Sequence, residues 1–386
     1  MKTKGNLIIT THTYYPYKDG VAVVNGYLAK GMIEKGYKVI VVTHKDSNLP
    51  REDYHDGVKI LRVYSNDSQQ EYVDCIKSLV APEDTLVNVC TQTPTTDALL
   101  TELSNIACRK VLYVHGIIRF KWDAENYASI HNVLSKIYNN TKWRFYYRKI
   151  GKYVNYYDAI IQLHEKDDGN VFFKREYGRD GFIIENAAED RCFEKASSKI
   201  VQEDYGIGGP YAICISNYGK GKNQEMVLRS FAEYHKNDSK LKTMVFIGGN
   251  SDYLDYLKEI YNELKIKDSS LNIVFLNDIA RDDTLELLKR AYCFVFGSRG
   301  EKFPVVIVEA MAAGVPFIST DVGIVKYFPG GVIVKNTEEM AQSICRLAND
   351  QELHDTLSKE GAEYARRRMR ICDKVDAFEE ICFGKQ

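Results

Sequence analysis

No uncharged apolar run in the sequence reaches the roughly 18 residues needed to cross a bilayer, and the opening Met1-Lys2-Thr3-Lys4 leads into only a few apolar residues before threonines intervene. Neither a secretory leader nor a membrane span is expected; a cytoplasmic protein is. An excess of charge of one sign is also missing, since 52 lysines and arginines stand against 53 aspartates and glutamates. A chain so balanced has no overall field to draw it onto nucleic acid, so no nucleic-acid partner is expected and any basic surface must be local. There is no C-x-x-C pair, no histidine at zinc-finger spacing, no low-complexity segment and no short repeat. The nine cysteines are odd in number and scattered, with Cys90, Cys214 and Cys293 in apolar surroundings. They read as reduced, buried and inert thiols, and no metal site is expected.

What is present is ordinary globular composition, 45% hydrophobic and 27% charged, over 386 residues, enough for two domains with full cores. Short apolar runs alternate with longer amphipathic stretches, the pattern of parallel α/β units. Strands are expected at 6–10, 38–43, 58–63, 86–90, 110–115, 159–163 and 182–184, then at 211–215, 243–248, 272–276, 293–296, 316–319 and 332–334. Two such series imply two Rossmann-like domains facing a central cleft, with ligands beyond the carboxyl ends of the strands. The seam is expected within Asn186–Pro210, where Gly206-Ile207-Gly208-Gly209-Pro210 signals a turn. The expected domains are 1–188, 189–368 and a closing helical segment 369–386.

The strongest local signal runs from Ser298 to Pro316. An apolar strand ends at Phe296, a Gly-containing polar loop follows, Pro304 suits a first helical turn, and a helix runs to Gly314. Glu301 lies on the loop, and Glu309 lies in the second helical turn among apolar residues. The unpaired N–H groups and positive dipole end of such a helix, beginning after Phe303, can receive a phosphate, and the two carboxylates can accept hydrogen bonds from sugar hydroxyls.

This segment, E-K-F-P-V-V-I-V-E-A-M-A-A-G-V-P, resembles the signature of the retaining glycosyltransferases of family 4, whose fold is called GT-B. In that family the first glutamate contacts the transferred sugar and the second holds the nucleotide ribose, which implies those roles for Glu301 and Glu309. The segment Ser216-Asn217-Tyr218-Gly219-Lys220-Gly221-Lys222 resembles the family's G-R-x-x-x-x-K-G, whose two cations grip the diphosphate. Lys222 matches the lysine, whereas Asn217 stands where the arginine usually is, leaving one cation missing or replaced by Lys220. A cation there is a chemical need, because charge grows on the leaving diphosphate and this fold does not usually employ a metal.

Thr11–Val21 resembles the family's P-x-x-G-G-V loop, with Gly20 matching the second glycine and Asp19 replacing the first; the G-x-G-x-x-G dinucleotide fingerprint is absent. Val114-His115-Gly116 resembles the family's histidine beside the donor sugar, and Ile184–Phe193 its P-N-G-V-D-x-x-x-F hinge, read as structure and not chemistry. The resemblance spreads over the whole chain and is tight only from Ser298 to Pro316. It implies a nucleotide diphosphate sugar as donor, no cofactor, and a glycan, glycolipid or lipid-linked acceptor. Two other readings stay open: a GT-B-shaped sugar-nucleotide epimerase, and a non-catalytic module that binds a nucleotide sugar.

Between Asn126 and Tyr157 there are six lysines and arginines, no acidic residue and nine aromatic residues. On a helix from Lys142 to Val154, Trp143, Tyr146, Tyr147, Ile150 and Val154 share one side, and Arg144, Arg148, Lys149 and Lys152 fall on the other. Such a helix can lie on an anionic membrane, which would place the protein peripherally on the inner face. The competing reading is a core helix with a solvated basic face.

Overall fold

The computed structural model describes residues 5–118, 120, 122, 124–198, 200–238, 240–249 and 251–384. The chain forms two compact α/β units. One comprises the residues up to Glu185 and is rejoined at Lys374 by the end of the last helix; the other runs from Asn186 to Asp373.

The first unit is built on eight strands: β1 (Leu7–Thr10), β2 (Val39–His44), β3 (Glu52–His55), β4 (Val58–Tyr64), β5 (Thr85–Val89), β6 (Arg109–Tyr113), β7 (Ala159–Gln162) and β8 (Phe182–Ile183). Their order is β3-β4-β2-β1-β5-β6-β7-β8, parallel throughout except for β3 against β4. The second unit has β9 (Tyr211–Ile215), β10 (Thr243–Gly248), β11 (Ile273–Asn277), β12 (Cys293–Phe296), β13 (Phe317–Thr320) and β14 (Gly331–Val334), ordered β11-β10-β9-β12-β13-β14 and all parallel. Central strands such as β1, β5, β9 and β12 are buried at every position, which is why they read as continuous apolar runs and not as alternating ones.

The sequence reading finds every strand except β3. This strand is polar, Glu-Asp-Tyr-His, and pairs antiparallel at the sheet edge through Asp56-Gly57, where both residues have positive φ (49° and 79°). An Asp-Gly pair with that geometry makes a primed hairpin turn, a signal in the sequence that the search for apolar strands passes over.

Asp19 caps the Gly20–Glu34 helix: its Oδ1 accepts from the N–H groups of Val21 and Ala22, each at 3.1 Å. The last helix, Ile371–Phe383, seats Val375, Phe378 and Cys382 in the core of the first unit. There Thr85 Oγ1 donates to the Cys382 carbonyl (2.7 Å), Arg109 Nε to that of Ile381 (2.9 Å) and the Tyr37 hydroxyl to Glu379 (2.8 Å).

All nine cysteines are unpaired. The expectation that they are buried needs correction, because Cys372 is exposed and Cys75, Cys90 and Cys345 are partly so; their sites lie on helix surfaces and strand ends, where a scattered apolar neighbour in sequence says little about burial.

Candidate active site

In the second unit, β9 is flanked by β10 on one side and β12 on the other, so the strand order reverses at β9/β12. The loops leaving these two strands open a crevice at the switch point, the usual ligand position in such sheets. They are the two segments singled out in the sequence, 216–223 after β9 and 297–304 after β12. Gln224, fully buried at the head of the Gln224–Asn237 helix, ties the first loop by donating to Ser216 Oγ (2.8 Å) and to the Asn217 carbonyl (3.0 Å). The backbone N–H of Arg299 donates to the Gly221 carbonyl (2.9 Å), joining the second loop to the first.

This fixes Lys222 and Glu301 together although 79 positions separate them: Lys222 Nζ lies 2.6 Å from Glu301 Oε1, which also accepts from Ser298 Oγ at 3.0 Å. Glu301 is held by the turn after β13 as well. Gly323 has φ +53°, a Cβ there would come within 2.2 Å of the Lys302 carbonyl oxygen, and the next N–H, of Ile324, donates to that carbonyl at 3.2 Å. Asn217 and Lys220 are both exposed, and Lys220 forms no ion pair among the described residues. Phe303 is buried with its ring against Phe328, and its carbonyl accepts from Asn186 Nδ2 at 2.9 Å. Pro304 is the capping position of the helix Val305–Ala312, which is shorter at its end than the expected run to Gly314, whose φ of +72° ends it.

Glu309 is only 4% exposed, among the apolar residues of that helix. Burial pushes its carboxyl above the usual range, and Arg281 opposes the shift. The Arg281 guanidinium forks onto both Glu309 oxygens, forming an ion pair at Oε1 and a 3.4 Å contact at Oε2, and its Nη2 also lies 2.9 Å from Glu189. Burial works against the Arg281 charge, but Glu309 and Glu189 more than offset it. The motif search misses Arg281. Its one sequence signal is a cation at the first position of the helix Arg281–Arg290, against the helix dipole, which calls for a carboxylate partner nearby.

In the first unit, His115 follows β6, where Gly116 turns the chain with φ +99°. Its Nε2 is buried without a hydrogen-bond partner among the described residues, and burial pushes its pKa down to about 4, with the nearby Asp19 carboxylate opposing. The imidazole is therefore neutral at neutral pH and can give or accept one hydrogen bond. Gly20 is exposed, and a Cβ there would meet nothing within 4 Å. The Asp19 carboxylate already occupies the first N–H groups of that helix, which disfavours a phosphate at the same spot.

Of the two readings of the basic segment, the packing agrees with the core helix carrying a solvated basic face, with Arg144, Arg148 and Lys149 exposed. The helix runs from Ile130 to Ile150; of the side expected to carry Trp143, Tyr146, Tyr147, Ile150 and Val154, the last three are in the core and Trp143 and Tyr146 are partly buried. They pack with Leu100, Leu112 and Phe173 in one buried cluster. The exposed apolar side chains lie elsewhere on the helix: Ile130, Leu134, Ile137, Tyr138 and Phe145. Among the described residues no helix is long and apolar enough to cross a membrane, and no three His, Cys, Asp or Glu side chains gather as a metal site.

Residues 199–364 match the family model described as glycosyl transferases group 1. The chain is 28% identical over 209 residues to N-acetyl-alpha-D-glucosaminyl L-malate synthase of Bacillus anthracis, a match that covers 52% of each protein, so only about half of that relative's length is spanned. It is 26% identical over 324 residues to alpha-monoglucosyldiacylglycerol synthase of Streptococcus pneumoniae, covering 80% of this chain and 69% of the relative. Among solved structures, sucrose-phosphate synthase of Thermosynechococcus elongatus superposes with a TM-score of 0.76 at 14% identity, covering 98% of both chains. Anabaena HepE in complex with UDP gives 0.69 at 16%, covering 97% of this chain and 98% of the other. The two α/β units are those of the GT-B fold of these solved structures, and the second unit, with paired glutamates in its switch-point loop and helix, is similar to the glycosyl transferases group 1.

Proposed function

We propose that this protein moves a sugar from a nucleoside diphosphate sugar to an acceptor hydroxyl, with retention of configuration and without a metal. The observation that carries the reading is the Lys222–Glu301 pair at the β9/β12 switch point. As the bond from the anomeric carbon to the diphosphate breaks, negative charge accumulates on the leaving oxygen, and a preorganised ammonium there lowers the barrier. Glu301, whose lone pairs also face Ser298, would hold hydroxyls of the transferred sugar. The first N–H groups of the Val305–Ala312 helix, after Phe303 and Pro304, share the diphosphate with Lys222, and Glu309 takes the ribose. Asn217 supplies a neutral contact where a second cation would be expected, with Lys220 the available substitute.

In this reading residues 1–188 serve the acceptor and residues 189–368 the donor. The relatives named above include a protein that by name makes a glycolipid, which supports a glycan or glycolipid acceptor. A peripheral position at an anionic membrane is part of the proposal, through the Ile130–Ile150 helix with its exposed Ile137, Tyr138 and Phe145 and the cations Arg148 and Lys149.

The test is a thermal-shift screen of nucleotide sugars followed by turnover assays with the stabilising donor. A ligand at about 100 times its dissociation constant adds roughly 2.7 kcal/mol, readily seen as a raised melting temperature. Glu301→Ala should abolish transfer with little change in melting, since Glu301 sits on a loop and its ion pair, with Lys222 about a third exposed, is worth about 0–1 kcal/mol. Near-parental turnover by this variant refutes the site. Donor converted without acceptor would indicate an epimerase, and donor bound without any conversion a binding module.

A further inference from the structure

Two buried or half-buried carboxylates share one guanidinium in the second unit, and neither Arg281 nor Glu189 has a place in the chemistry described so far. Arg281 Nε and Nη2 reach Glu189 Oε1 at 3.0 and 2.9 Å, and its Nη1 and Nη2 fork onto Glu309. Glu189 is fixed in turn by Arg191 Nη2 at 2.7 Å, and Arg191 is ion-paired with Asp282, the residue after Arg281. The fork is thus held from both sides, and Glu189 belongs to the Ile184–Phe193 segment that the sequence marks as purely structural.

Glu309 needs such a partner. It sits among Ile307, Val308, Ala310 and Met311, all buried, and a lone carboxylate there would take up a proton instead of staying charged. A protonated acid spends one oxygen as a donor and accepts poorly, whereas a vicinal diol presents two hydroxyls that both donate to an ionised carboxylate. We propose that Arg281 is a positioning residue of the nucleotide site, keeping Glu309 a charged acceptor aimed at the ribose diol, with Glu189 holding Arg281 in place. This rests on the reading of Glu309 as the ribose contact.

The experiment is calorimetric titration of the full chain with UDP, GDP and ADP, comparing the parent with Arg281→Gln, Arg281→Lys, Glu309→Ala and the double variant Arg281→Gln/Glu309→Ala. Arg281→Gln and Glu309→Ala should each weaken the nucleotide that the parent binds by about 10-fold or more, the usual weight of a charge-assisted hydrogen bond. The double variant should bind no more weakly than Glu309→Ala, because Arg281 acts through Glu309. Arg281→Lys, which keeps the charge but not the fork, should fall between the parent and Arg281→Gln. In turnover, Arg281→Gln should raise the donor KM and leave kcat at saturating donor unchanged, a split that damage to the fold would not give. If Glu309→Ala weakens binding and Arg281→Gln does not, the role of Arg281 is overturned while Glu309 stands. If the two losses multiply, Arg281 touches the nucleotide itself and the positioning role falls. If Glu309→Ala binds like the parent, or the parent binds none of the three nucleotides, the ribose reading fails and takes this proposal with it. Should Arg281→Gln not fold, Arg281→Lys decides alone, and binding equal to the parent overturns the proposal.

Discussion

His115 should make the first unit acid-sensitive in a way that one substitution removes. Its buried ring holds a pKa of about 4, against 6.5 for an unhindered histidine. Between these two values the unfolded chain binds a proton that the folded chain refuses. Stability is therefore fully present above pH 6.5 and is lost as the pH falls toward 4, by about 3 kcal/mol in all and about 2 kcal/mol at pH 5. The only two tryptophans, Trp122 and Trp143, lie in the same unit, so tryptophan fluorescence in urea follows this unit and not the other. The parent should lose about 2 kcal/mol more than His115→Asn between pH 7 and pH 5. Contributions from His12, whose pKa burial also lowers, are common to both proteins and cancel. An equal loss in the two proteins, or an imidazole signal titrating near 6.5 by NMR, would refute the argument. The same neutrality means that His115 adds no step to the pH–rate profile between pH 5 and 8.

Lys222→Ala should lower turnover by about 10²–10³, the cost of removing one preorganised donor to developing charge; a change confined to KM would assign Lys222 to binding alone. Activity should persist in EDTA, and its loss with rescue by manganese would sink the metal-free mechanism. Flotation with anionic liposomes should show binding that fades with salt, since the Debye length shrinks from about 10 Å at 0.1 M to about 3 Å at 1 M. It should drop when Arg148, Lys149 and Lys152 become glutamine and when Ile137 and Phe145 become serine; indifference to anionic liposomes at low salt would favour a soluble acceptor.

The sequence by itself determined the two series of parallel strands, because a strand covered on both faces has to be apolar at every position and so stands out from its surroundings. It also determined the switch-point loops, with Glu301 on one of them and Glu309 in the helix that follows, since a strand, a glycine-bearing loop and a helix start must follow one another within a few residues. Tertiary structure alone decided which distant groups meet. Nothing local in the chain pairs Lys222 with Glu301 or Arg281 with Glu309, because these partners come from different elements: the first pair meets where the sheet order reverses, and the second joins the helix after the edge strand β11 to the helix after β12. It decided also which face of the Ile130–Ile150 helix is covered. Periodicity gives a helix two sides, but only the packing of Leu100, Leu112 and Phe173 against Tyr147 and Ile150 determines that the aromatic side turns inward and leaves Leu134, Ile137 and Phe145 in solvent.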